Sequence, residues 1–308
     1  MSEPSPTQHP TAQHPTAQQP VTGVIHDIGY RRYTGPRDGD ARIAFSLYVT
    51  ALKHAYGLGR SGRSKVLPFL LLGLTLLPAV IMVGVVAMFG FDEQVRTYAA
   101  YTNTVQVLVS IFAASQAPTI FSRDLRSRSI VLYLARPLSA RTSALVRWAA
   151  LATACLIFIL APQLVLYVGG LLSRLDAGDE TLSFLKALPL DLLLAAMLAS
   201  ITGLIASMAL RRGFAVVGSI LAVLVVSTAL SAVQAIAAEF DSPRTGEISG
   251  LFSPWALVNG LASVMDAGVE VITPPQGAVM VSAYVLAALL MAALPVLALV
   301  ARFRKAGR

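Results

Sequence analysis

VLPFLLLGLTLLPAVIMVGVVAMFG, residues 66–90, decides the fold. The stretch holds no charged side chain, and a helix of that length spans the ~30 Å hydrocarbon core of a bilayer with some tilt. A basic run, Gly57 to Lys65, leads into it, and Asp92 and Glu93 follow it. Five more apolar stretches of similar length lie downstream, at about 99–121, 144–168, 188–210, 214–238 and 277–301. The charges between them alternate. Of the 24 Lys and Arg, 19 fall in the first, third, fifth and seventh connecting segments, and Arg147 lies just inside the third span from the third segment. The other segments hold only Arg96, Arg174, Lys186 and Arg244, against a series of acids from Asp92 to Glu270. Cationic loops stay cytoplasmic during insertion. The sequence therefore predicts an all-α polytopic membrane protein with six spans and both ends in the cytoplasm.

Composition agrees. Mean hydropathy is +0.68 and only 13% of residues are charged, about half the usage of soluble domains. The net charge of +8 belongs to loops facing anionic headgroups, so nucleic acid is not an expected partner. Cys155 is the only cysteine, which excludes an internal disulfide. Nothing ahead of Val66 resembles a cleavable leader, and the first span is expected to act as its own insertion signal.

Residues 1–41 read as a polar cytoplasmic segment, with a Thr-Ala-Gln-His-Pro near-repeat that has little apolar surface to bury. Residues 42–56 differ. At helical pitch Arg42, Ser46, Thr50, Lys53 and His54 share one strip, and Phe45, Tyr48, Leu52 and Tyr56 lie on the broad apolar remainder. This pattern predicts a helix lying in the membrane interface, with a linker to residue 65. Residues 251–265 are too short to cross and too apolar to float free, so they read as a re-entrant or surface-lying piece. Pro78, Pro162 and Pro295 fall inside spans as expected kinks, and Pro189 falls near a helix start.

Reactive chemistry is sparse. All four histidines precede the first span, Asp191 and Glu239 sit at span edges, and no phosphate-binding loop or zinc motif occurs. A proton-driven carrier usually keeps ionisable groups at membrane depth, so no proton coupling is expected. Energy for active transport must come from another polypeptide. Uncharged polar groups remain as candidates for a substrate path: Asn103, Thr104 and Gln106 in the second span, Ser231 and Gln234 in the fifth. In the fourth span Ala195, Ala199, Gly203 and Ser207 recur every four residues, a stripe for close helix packing whose partner the sequence leaves open.

The segment from Ser122 to Arg141 carries five arginines, one acid (Asp124), and an apolar patch from Ile130 to Leu134. Such a patch in a cytoplasmic loop calls for a partner. The run Arg123-Asp124, a short basic stretch, then Leu132-Tyr-Leu-Ala-Arg-Pro-Leu-Ser139 resembles the intracellular loop of type-2, ABCG-like, ABC exporter permeases. Val24 to Pro36 is similar to the start of a bacterial subset of them. The resemblance implies two six-span units, this chain and a second permease copy or homologue, assembled in the bacterial plasma membrane with two cytoplasmic ABC ATPase subunits. ATP and Mg would then bind on the partner, with no cofactor on this chain and membrane lipid around it. A loop helix over about 122–135 would rest in an ATPase groove, with Asp124, Arg126, Leu132 and Leu134 as contacts. Arg147 stands where the family commonly has a lysine. The residues alone leave open a stand-alone channel or secondary carrier, a membrane anchor, and a lipid-acting membrane enzyme.

Overall fold

The computed structural model describes residues 39–91, 93–126 and 138–306, with side chains given up to 121 and from 138 to 305 in the last two segments. These residues belong to one compact unit, Asp38–Arg308. The polar N-terminal segment, Leu132 and Leu134 lie outside the described residues. The helices are α1 (Asp40–Ala55), α2 (Arg63–Phe89), α3 (Tyr98–Thr104), α4 (Gln106–Arg126), α5 (Ala140–Leu172) and α6 (Ala177–Met208). They continue with α7 (Arg212–Glu239), α8 (Pro243–Gly250), α9 (Pro254–Val264) and α10 (Gly277–Ala306). Five of these are long and apolar enough to cross a membrane, and α3 with α4 makes a sixth if the bent pair is one span. The chain is an all-α polytopic membrane protein.

The hairpin of α5 and α6 is the centre. In α6, 56% of the most apolar window is buried, against 22% in α2 and 17% in α7, so those two sit at the periphery with lipid-facing flanks. A short turn, residues 173–176, joins α5 to α6. Asp176 caps α6, its carboxylate accepting from the backbone N–H of Gly178 and Asp179 at 2.9 Å each. The cap starts α6 well before the expected boundary at 188. Pro189 consequently lies deep inside the helix rather than near its start. At 33 and 32 residues, α5 and α6 are about 50 Å long and overhang any ~30 Å core.

The second span departs most from expectation. It bends by 67° between α3 and α4, at Val105. No proline or glycine stands there. Side-chain ties from α3 hold the bend instead: Tyr101 donates to the Thr75 carbonyl of α2, and Thr102 to Asp191 of α6 at 3.1 Å. At its other end α4 runs without interruption to Arg126, so no new helix begins near Ser122 as expected. The prolines at 78, 162 and 295 lie within continuous helices. In α7 the segment Leu221–Val225 is a π turn.

Helix α1 crosses α5. Tyr48 and Tyr56, some two turns apart, donate to the adjacent residues Thr153 (2.9 Å) and Ala154 (2.8 Å). Tyr56 also packs on Phe112, which stacks on Phe158 with centroids 4.2 Å apart. Burial pushes the Tyr56 hydroxyl up, with Cys155 adding to the effect, so it stays a donor. Phe45 remains 66% exposed on the other face, as suits a helix with one side toward lipid.

Candidate functional site

The two ends of the bundle are built differently. At one end, which we call the basic end, the C-termini of α4, α6 and α10 meet the N-terminal part of α5. Buried Arg147 of α5 donates to the Ile120 carbonyl of α4 at 2.6 Å. Arg302 of α10 donates to the Ser207 carbonyl at 2.7 Å, satisfying a last-turn acceptor of α6 that has no intrahelical donor. Phe121 meets Phe303 edge to face and closes over Gly203, where a Cβ would lie 3.0 Å from the ring. Ala195, Ala199, Gly203 and Ser207 are all buried, and through Phe121 and Arg302 the stripe faces helices of this same chain. Arg211, Arg212, Arg304 and Lys305 flank the same end. Asp124 and Arg126 lie in the last turns of α4.

At the other end α8 and α9 form a cap over α3 and the C-terminal part of α7. Thr97 caps α3 and donates to the Ala267 carbonyl at 2.8 Å. Asn259 of α9 donates to Asn103 at 3.0 Å, and Trp255 to Ser110 of α4 at 3.1 Å. Gln234 of α7 donates to the Gly246 carbonyl at 3.3 Å, and Tyr284 of α10 to the Glu247 carbonyl at 2.9 Å. The apolar stretch expected to be re-entrant is α9, mostly buried under this cap. A polar cleft of about 580 Å³ opens beside it, lined by Gln94, Arg96, Thr97, Asn103 and Glu270 among others.

The five path candidates thus fall into different settings. Asn103 lines the cleft, Thr104 is exposed, and Gln106 is half-buried at the start of α4. Ser231 is exposed while Gln234, less than a turn away, is buried against α8. The structure does bring together a cluster that sequence reasoning missed. Asp191, 1% exposed, accepts from Gln163 at 2.8 Å and Thr102 at 3.1 Å. Gln163 also donates to Thr102 at 2.7 Å. Buried Glu180 accepts from Tyr98, and Gln94 reaches it at 3.5 Å from the cleft wall. Asp191 is therefore no span-edge group but an enclosed one. The Asp176-Ala-Gly-Asp179 pattern, an acidic cap with a second acid three residues on, was the available signal.

No protein-family model matches the chain, and no curated protein matches its sequence.

Proposed function

We propose that this chain is the membrane subunit of an ATP-driven exporter of the type-2 ABC class, with its basic end in the cytoplasm. One observation carries the reading. Helix α1 rests on α4 and α5, the two helices joined by the arginine-rich segment that resembles the family's ATPase-docking loop. A push on that segment reaches α1 and the centre of the bundle through the same two rods. The cations at the basic end supply the cytoplasmic orientation. ATP closure of a separate ATPase pair would drive α4 and α5, and the space between this chain and a second six-span unit would change access. Asp124, Arg126, Leu132 and Leu134 are the proposed ATPase contacts, and Asn103 on the cleft is the proposed path residue.

Affinity-tagged protein extracted in mild detergents should carry a Walker-motif ATPase with it, and transport in vesicles should require ATP. Recovery of the chain alone across several mild detergents, with transport independent of ATP, would overturn the reading. A secondary carrier is the second reading, favoured by the enclosed Asp191. The same vesicles decide between them, since a carrier runs on an ion gradient without nucleotide.

A further inference from the structure

Asp191 is a carboxyl group enclosed in a membrane bundle and held only by neutral donors. Its partners are the Gln163 amide and the Thr102 hydroxyl. Among the described residues no cation bonds it from the elements packed around α6; α7 carries Arg212 at the basic end, and Arg96 lines the cleft. Helix α3 presents Tyr98 and Thr102, and α5 presents Gln163 with Tyr167 a turn beyond. Arg147 of α5 is engaged at Ile120, about 24 Å farther along the helix. Helix α4 starts beside Thr102 with the neutral amide Gln106, α9 carries Asn259, and α10 carries Tyr284, which bonds Glu247. Arg302 of α10 is at the basic end on Ser207. Lys186 of α6 points about 140° away around the helix and donates to the Asp266 carbonyl. A bare carboxylate in such surroundings is expensive.

Glu180, a second buried acid on α6, differs. It stands in the first turns of α6, just past the Asp176 cap, where the helix N-terminus stabilises negative charge. Asp191 is too far along the helix for that help.

The second observation is Gln163. Its side-chain carbonyl oxygen is fully buried and has no hydrogen-bond partner. Amide oxygen and nitrogen exchange places on a half-turn of the group. That turn would set the carbonyl oxygen 2.8 Å from the Asp191 carboxyl and 2.7 Å from the Thr102 hydroxyl. The amide nitrogen serves a carboxylate there; the oxygen accepts from a carboxylic acid. The turn gives up the 3.3 Å bond that the amide now donates to the Tyr98 carbonyl, but the Thr102 hydroxyl, 3.4 Å from that carbonyl, can donate there while accepting from the acid.

We infer that Asp191 is a proton-binding site: its carboxyl is carried as the neutral acid in this closed arrangement, with Gln163 and Thr102 accommodating gain and loss of the proton. Water supplies and receives that proton. The polar cleft is its approach, because Asn103 on the cleft wall adjoins Thr102, and Gln94 touches Glu180. Opening of the cleft wets the carboxyl, the proton passes to water, and the carboxylate remains. This holds whether the chain works with an ATPase or as a carrier, so its test is separate from theirs.

The test is infrared spectroscopy of the full chain in lipid nanodiscs at neutral pH. A carboxylic-acid carbonyl stretch should be present, shift when the protein is made with isotope-labelled aspartate, vanish in Asp191→Asn and persist in Glu180→Gln. The labelled wild type needs no substitution, so a misfolded variant does not blunt the result. Absence of the band, failure to shift with labelled aspartate, or survival in a folded Asp191→Asn would overturn the proposal.

Discussion

The capped end and the basic end of this bundle are fastened by different means. Side chains stitch the capped end across long sequence separations: Thr97 to Ala267, Asn103 to Asn259, Trp255 to Ser110 and Tyr284 to Glu247. Each bond ties the α8–α9 cap to a different spanning helix or to the bent pair. The basic end relies on two arginines set against backbone carbonyls and on Phe121 closing over a glycine. Among the described residues, Arg211, Arg212, Arg304 and Lys305 flank this end. Under the proposed function, the capped end sets the spacing of the helices and the basic end receives the push on α4 and α5.

The largest effect should follow from disturbing the basic end. In Asp124→Arg the chain should insert and fold as before yet lose nearly all transport, read as ATP-dependent flux in vesicles alongside an unchanged melting curve. Unchanged flux would remove Asp124 from coupling and weaken the contrast between the ends. A substitution in the capped end should do the reverse. A Cβ at Gly250 would lie 2.2 Å from the Tyr284 hydroxyl and 2.9 Å from the Gln234 amide. Gly250→Ala must therefore displace both bonds that hold α8 to α7 and α10, at a cost of about 1–3 kcal/mol for overpacking. Detergent-titrated unfolding should show that loss, and an unperturbed midpoint would mean the cap is slack.

Much of this division was visible in the sequence. Charge alternation and hydropathy, both local signals, point to six crossings; five helices are long and apolar enough to cross, and the bent α3–α4 pair is a sixth if it is one span. The stretch at 251–265 read as a re-entrant or surface-lying piece from its length and apolarity, and it is the mostly buried α9. Two features were not legible. The start of α6 was set at 188 by hydropathy, which responds to the apolar run and not to the Asp176 cap that extends the helix beyond it. That error placed Asp191 at an edge and hid the cluster. The bend at Val105 has no local signal, since the residues that hold it belong to α2, α6 and α9 and are distant in sequence. Bonds of that kind appear only once the helices are side by side.

Thr97 tests whether the cap is fastened to α3 or merely leans on it. Its hydroxyl accepts from the Ala100 N–H and donates to the Ala267 carbonyl. Thr97→Val keeps the shape and deletes both, so stability should fall by about 0.5–2 kcal/mol, the range for a lost helix cap. Thr97→Ser should recover most of it. If Val and Ser variants unfold alike, packing and not the hydroxyl holds this joint.

The smallest effect is the most exact probe of the stitching. Asn103 and Asn259 meet at 3.0 Å between α3 and α9, and a single interhelical hydrogen bond in a membrane protein averages ~0.6 kcal/mol. Asn103→Ala, Asn259→Ala and the double variant form a cycle whose coupling should be of that order. Asn103 also borders the cleft, so its loss removes a polar wall as well as a bond. The cycle separates the two, because the wall is lost in both Asn103 backgrounds and cancels. A coupling near zero, with transport reduced only when Asn103 is absent, would make this residue part of the path and not of the scaffold. The capped end would then contain a working surface, and the contrast between the ends would be one of degree.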